Sequence, residues 1–164
     1  MCGRFALTME LDELMALFPW IDFGSVYQPR YNIAPSQEIM AVPGTPQKKV
    51  GWFRWGLIPS WAKDPKIGYK MINARGETVS EKPSFRDACR KRRCLIPADG
   101  FYEWKKEGDG KVPYLIRMKS KAAFLFAGLW EQWQSDDETI YSATIITTDA
   151  NDTLKPIHHR MPVI

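Results

Sequence analysis

The second half of the chain constrains the fold most. Between Cys94 and Thr148 four apolar runs, CLIPADGFYEW, VPYLIRM, AFLFAGLWEQW and TIYSATIITT, are parted by KKEGDGK, KSKA and QSDDE. Strand-length runs rich in β-branched and aromatic residues, joined by short turns, pair with their neighbours in sequence. A sheet built this way exposes two edges unless it curls, and curling toward a barrel hides them. The expected architecture is α+β: a single domain with a twisted mixed or antiparallel β-barrel-like core and a few flanking short helices.

The first half supplies those helices and further strands. MCGRFAL alternates as a short strand; TMELDELMALF then sets Leu11, Leu14, Met15 and Phe18 at helical spacing, with Thr8 as N-cap and Pro19 as terminator. IDFGSVYQPRYNIAPSQ is dense in turn formers and is expected as loop. EIMAV and KKVGWFRWGLIP are expected strands around the turn PGTPQ, and SFRDACRKRR a short basic helix capped by Ser84. No repeat, low-complexity tract or linker divides the sequence, so one domain is expected over residues 1–164. HHRMPVI ends on an apolar run with no element after it, and a further C-terminal portion is expected.

An apolar content of 45% in 164 residues suits one sizeable core. The aromatic load, seven Trp, eight Phe and six Tyr, also offers faces on which unpaired bases can stack. Three cysteines at irregular spacing argue against a disulfide framework and for a reducing compartment. With no charged and apolar leader and no run of membrane-spanning length, a cytoplasmic protein is expected, in a bacterium the cytoplasm and nucleoid. The net charge of +4 permits nucleic-acid binding without demanding it.

Four stretches can carry chemistry. Cys2 is either a small apolar residue of the first strand or, with Met1 removed, an N-terminal 1,2-aminothiol. Such an amine titrates near ~8, so part of it is neutral and nucleophilic, and with an aldehyde the pair closes a thiazolidine. In INARGET, Asn73 and Arg75 share one strand face and Ala74 takes the other. An amide beside a guanidinium can hold a phosphate or orient a reacting group, while a strand end with Glu77 pairing Arg75 explains the same residues equally. In PADGFYEW, Glu103 lies among Phe101, Tyr102 and Trp104, as a proton shuttle or an exposed strand carboxylate. IHHRMP holds the only two histidines; on a strand their rings would point opposite ways, leaving one for acid–base work or both for solvent. Cysteine spacing and carboxylates offer no set of metal ligands, so neither metal nor cofactor is expected. The run RDACRKRRC is a solvated helix face or a track for phosphates, and Trp55 and Trp61 in WGLIPSW are core or base platform.

Taken in order, MCGRF, RYNIAPSQ, WGLIPSWA, INARGET, RCLIPADGFYEW and IHHRMPV resemble the SOS response-associated peptidase (SRAP) family from Cys2 to the last residues. The resemblance implies a protein that recognises abasic sites in single-stranded DNA, during the SOS response to DNA damage, and joins them covalently as a thiazolidine. It implies Cys2 as nucleophile, Asn73 positioning the terminal amine and the sugar, Glu103 as acid–base carboxylate and His158 assisting ring opening. It implies phosphate contacts by Arg4, Arg75 and Arg160, stacking on Trp61, and a site-side threonine at Thr147. Two departures stand out: Ala62 follows Trp61 where some relatives carry a second tryptophan, and the chain is shorter than the family usually is.

Covalent capture of an abasic site by a monomer, with possible lyase chemistry at the imine stage, is the leading expectation. A cysteine peptidase acting chiefly on its own Met1–Cys2 bond is the second, and a non-catalytic single-strand binder with a structural Cys2 the third. Lesion-dependent cross-linking separates them.

Overall fold

The computed structural model describes residues 2–164, and within them eleven strands and two α-helices. Five strands close a ring: β3 (Glu38–Pro43), β4 (Gly51–Trp55), β6 (Arg93–Ala98), β9 (Phe124–Gln134) and β10 (Thr139–Asp149). Around it β10 pairs β4 in parallel, while β4–β3, β3–β6, β6–β9 and β9–β10 are antiparallel. This is the mixed barrel the strand pattern predicts.

β10 is the pivot because its eleven residues outlast their partners. Its first half lies between β9 and β4; beyond Ile145 it is flanked by β5 (Asn73–Arg75) and β11 (Arg160–Pro162). A second sheet, in the order β2 (Arg30–Ile33), β1 (Phe5–Leu7), β7 (Gly100–Glu107), β8 (Gly110–Ile116), packs over the barrel.

The N-terminal strand is held there by aromatic contact. Phe5 meets Trp55 edge-on at a centroid distance of 5.1 Å and Phe126 at 5.7 Å, and Phe126 in turn meets Phe101 and Phe124. Edge-to-face packing of fully buried rings adds to their large area burial. Phe5, Ala6 and Leu7 are all buried, so the strand cannot lie on the surface.

CLIPADGFYEW is not one strand. It breaks at Asp99, β6 staying in the barrel and β7 crossing into the second sheet. The buried Asp99 carboxylate explains the corner: its Oδ2 accepts from the Thr8 amide (2.6 Å), the Thr8 hydroxyl (2.7 Å) and the Met9 amide (2.9 Å). Thr8 is therefore occupied and does not cap α1 (Leu11–Leu17); the helix opens at Glu10, whose amide donates to Glu13 at 3.0 Å. Ser84 likewise is no cap, since α2 (Arg86–Lys91) opens after Phe85. RYNI, expected within a loop, is strand β2, because β1 supplies the pairing partner that its polar sequence does not advertise.

One glycine pair seats the loop that follows β4. Gly56 has φ +125°, and a Cβ there would stand 2.4 Å from the Gly68 carbonyl oxygen in the 3₁₀ turn Pro65–Lys70.

Replacing Phe5 with Ala is expected to cost about 3–5 kcal/mol of stability in urea unfolding at pH 7, with an unchanged m-value. The Cys2 thiol should then react far faster with a thiol reagent under native conditions. Unchanged stability and thiol protection would remove Phe5 as the anchor.

Candidate active site at the N-terminal strand

The anchoring of β1 carries Cys2 inside, where it is 0% exposed. β1 pairs with β7 in the register Phe5 opposite Phe101, and the Tyr102 amide donates to the Arg4 carbonyl at 2.8 Å, so the segment before Phe5 runs beside the strand that carries Glu103. Glu103 is itself only 4% exposed. Burial pushes the Cys2 thiol up to about 12, the Glu103 charge adding to the effect, while the Arg4 amide donates to the sulfur. The thiol is thus protonated and inert at neutral pH until something takes its proton.

His158 joins them from the other side. Burial lowers its affinity for a proton, and the Glu103 charge works the other way, so one carboxylate acts on both the thiol and the imidazole. Its Nδ1 lies 3.0 Å from the Arg160 amide nitrogen and 3.2 Å from the Arg160 carbonyl oxygen. A neutral ring accepts from the amide there and keeps its proton on Nε2; a protonated ring donates to the carbonyl. The backbone serves both states.

The histidine pair is not on a strand, as alternation had implied. β11 begins only at Arg160, and the rings of His158 and His159 stack at 4.5 Å with 25° between planes.

Asn73 enters through β5, where it pairs with Ile145 on β10. Its Nδ2 donates to the Ile72 carbonyl at 3.0 Å and reaches the Ile145 carbonyl at 3.5 Å. That fixes the amide, and its buried Oδ1 has no hydrogen-bond partner among the described residues. A fixed, buried, unused acceptor is costly unless a donor arrives.

The expected phosphate ligands divide by exposure. Arg75 is exposed and Trp61 is 59% exposed, whereas Ala62 packs beneath it with Ile58 and Trp133. Trp55 is core, its Nε1 donating to the Ile72 carbonyl at 2.9 Å. Arg4 is half-buried, with Nη1 on Asn32 Oδ1 at 2.9 Å. Thr147 and Arg160 are buried. The Arg160 guanidinium grips Glu77 through two nitrogens (2.8 and 2.9 Å), Asp149 (2.7 Å) and the Thr147 carbonyl (2.9 Å). Glu77 therefore pairs with Arg160, not with Arg75. This cluster ties β5, β10 and β11 together and holds the backbone that brackets His158.

Asp99, Glu77 and Asp149 were not singled out for these roles in the sequence. An acid inside the otherwise apolar CLIPADGF was the available signal for Asp99; nothing local marks Asp149. Met1, whose removal an N-terminal amine requires, lies outside the described residues.

The described structure is a mixed barrel with a buried N-terminal strand, on which one carboxylate, Glu103, acts on both the Cys2 thiol and the His158 imidazole. The SOS response associated peptidase (SRAP) family profile matches residues 1–164, and the chain belongs to that family. It is 52% identical over 169 residues to the abasic site processing protein YoaM of Bacillus subtilis, covering all of this chain and 74% of that one. The abasic site processing protein HMCES of Xenopus tropicalis is 34% identical, over all of this chain and 62% of its own length. A crystal structure from Bacteroides thetaiotaomicron superposes with a TM-score of 0.87 at 30% identity, over 98% of this chain and 75% of that one.

The Arg160 ion pair holds the Glu77 carboxyl down at about 2, below its ordinary 4.5. A carboxyl lowered in the folded state stabilises above its unfolded pKa and ceases to as pH falls through the folded one. The stability difference between the parent protein and Glu77→Gln should be constant from pH 7 to 5 and shrink from pH 4.5 toward 2. Urea midpoints at pH 6 and pH 3 check this; an equal difference at both would dissociate Glu77 from the pairing.

Proposed function

We propose that this protein binds single-stranded DNA at abasic sites and captures the lesion through Cys2. The observation that carries the reading is the buried Cys2 beside Glu103, whose charge acts on both Cys2 and His158; the unpartnered buried Oδ1 of Asn73 supports it as an acceptor awaiting a donor. Relatives named as abasic site processing proteins support it.

The chemistry follows from the groups. An abasic sugar is a hemiacetal in equilibrium with its aldehyde. The Nε2–H of neutral His158 protonates the ring oxygen while a carboxylate such as Glu103 takes the hydroxyl proton, opening the ring. The Cys2 amine, held by Asn73 Oδ1, adds to the aldehyde carbon and water leaves, giving an imine. The thiol then adds across C=N, sulfur to carbon and proton to nitrogen, closing the thiazolidine; one water is the only product released. A thiol protonated at rest suits this order, because the amine acts first and the thiol closes only once Glu103 or His158 accepts its proton.

The amine exists only after hydrolysis of the Met1–Cys2 bond, and self-removal of Met1 is the peptidase activity that fits this site. Loss of a proton from C2′ of the imine would instead expel the 3′ phosphate, a lyase outcome. Arg4, Arg75 and Trp61 contact the flanking strand, and Arg160 and Thr147 act by holding His158 and β10 in place. Arginine and lysine contacts to phosphate make binding fall with salt. We propose the SRAP unit as residues 1–164, acting as a monomer.

Protein lacking Met1, incubated with single-stranded oligonucleotides bearing an abasic site or an intact base, should give a lesion-dependent shifted band on a denaturing gel. Cys2→Ala should lose the band and Cys89→Ala keep it. Cys2→Ser should form only an adduct that needs borohydride to survive. Glu103→Gln should slow formation about 100-fold, the scale of one positioned proton transfer. No band from processed protein overturns the proposal; equal, salt-sensitive retention of both DNAs without a band would leave a plain single-strand binder.

A further inference from the structure

We infer that the exposed cationic face of α2, with the groove at its C-terminal end, is a second contact surface for single-stranded DNA, holding phosphates outside the lesion site. The inference rests on the reading above only in taking DNA as the ligand.

Charge distribution is the first ground. Residues 82–93 hold Lys82, Arg86, Arg90, Lys91, Arg92 and Arg93 against the single acid Asp87, a net of +5, while the whole chain nets +4. Everything outside this segment therefore sums to −1, so the stretch that contains α2 carries the chain's net positive charge. A field of one sign on one face concentrates a polyanion there.

Structure uses only part of that charge. Arg92 Nη2 meets the buried Glu131 carboxylate at 2.7 Å, and Arg93 Nε donates to the Cys89 carbonyl at 2.7 Å. Cations in a last helical turn also complement the helix dipole, worth about 0.3–1 kcal/mol each at an exposed site. Lys82, Arg90 and Lys91 are exposed and have no ion pair among the described residues; Arg86 has only a 3.7 Å contact with the exposed Asp87. Three unpaired cations and a loosely paired Arg86 on one short segment exceed what helix capping needs.

Position is the second ground. The Thr78 amide donates to the Arg75 carbonyl, Lys82 to Thr78 and Arg86 to Lys82, so hydrogen-bonded turns run unbroken from Arg75 into α2. At the far end of α2 an open groove of about 610 Å³ is lined by Lys91, Trp130, Gln132, Gln134, Ser60 and the Arg92–Glu131 pair, whose acid is neutralised by that arginine. Ser60 adjoins the exposed Trp61, whose own pocket holds Lys63, Lys66 and Lys70. Ammonium, guanidinium and amide donors beside indole faces match phosphates and unpaired bases. A protein partner would need an apolar centre that this polar, cation-rich face does not supply.

The test uses base-intact oligonucleotides, so it does not depend on lesion chemistry. Fluorescence anisotropy across salt compares the parent with Arg86→Gln/Arg90→Gln/Lys91→Gln on strands of about 5 and about 25 nucleotides, below and beyond one site. On the long strand the triple variant should bind about tenfold more weakly, with the slope of log K against log salt reduced by about 2, some 0.7 per phosphate lost. On the short strand it should match the parent. Unchanged binding of the long strand, or equal losses on both, overturns the inference. Thermal unfolding midpoints of the two proteins verify the fold. A parent that cross-links no abasic strand would sink the capture chemistry and leave this measurement readable.

Discussion

The candidate site depends on Phe5 being packed edge-on against Trp55 and Phe126 in the core. Chain termini ordinarily fray, because a few residues rarely bury enough surface to offset the entropy of ordering them. Here the cost is met at Phe5, which completes the aromatic core, and again at Thr8, whose amide and hydroxyl Asp99 receives. Between these two fixtures β1 has no freedom to leave, and Cys2 inherits its burial. A side chain on so short a strand is positioned as tightly as one in mid-strand only under such a constraint.

The other groups arrive on elements that meet because β10 outlasts its partners. Where β9 and β4 end, β5 and β11 take their places, bringing Asn73 to one side of β10 and the His158–Arg160 turn to the other. Arg160 fastens this exchange by spanning Glu77 and Asp149. A buried arginine with satisfied carboxylates is poor evidence for stability but good evidence for geometry, since it tolerates few arrangements. Its consequence is local: the amide and carbonyl of the same residue fix the imidazole of His158.

How much of this could be read beforehand follows from what each feature depends on. The barrel was legible because AFLFAGLWEQW and TIYSATIITT declare themselves as long strands without help from elsewhere. RYNI was not, because its strand character comes from β1. The corner at Asp99 was hidden for the same reason: a turn dipeptide in sequence becomes a change of sheet only when Thr8 reaches its carboxylate. Cys2, Asn73, Glu103 and His158 could be named from short motifs, but only the fold shows that the Glu103 charge acts on both Cys2 and His158 and that Asn73 Oδ1 is buried without a partner among the described residues. The stacking of His158 on His159 was misread because alternation assumes a strand, and the chain is still turning there.

The distribution of charge completes the physical picture. Near the lesion chemistry the guanidiniums are largely committed: Arg160 to two carboxylates, and Arg4 to Asn32 through one nitrogen. Commitment suits a site with a buried carboxylate, where loosely held cations would compete for it. Free charge is then better placed at a distance, where it can attract a strand without perturbing Glu103. The segment from Lys82 to Arg93 has that property, joined by successive turns to the strand that carries Asn73 yet packed on the outside of β6 and β9. The committed guanidiniums and the exposed cations thus lie on different elements of one small domain, so each set can be neutralised separately.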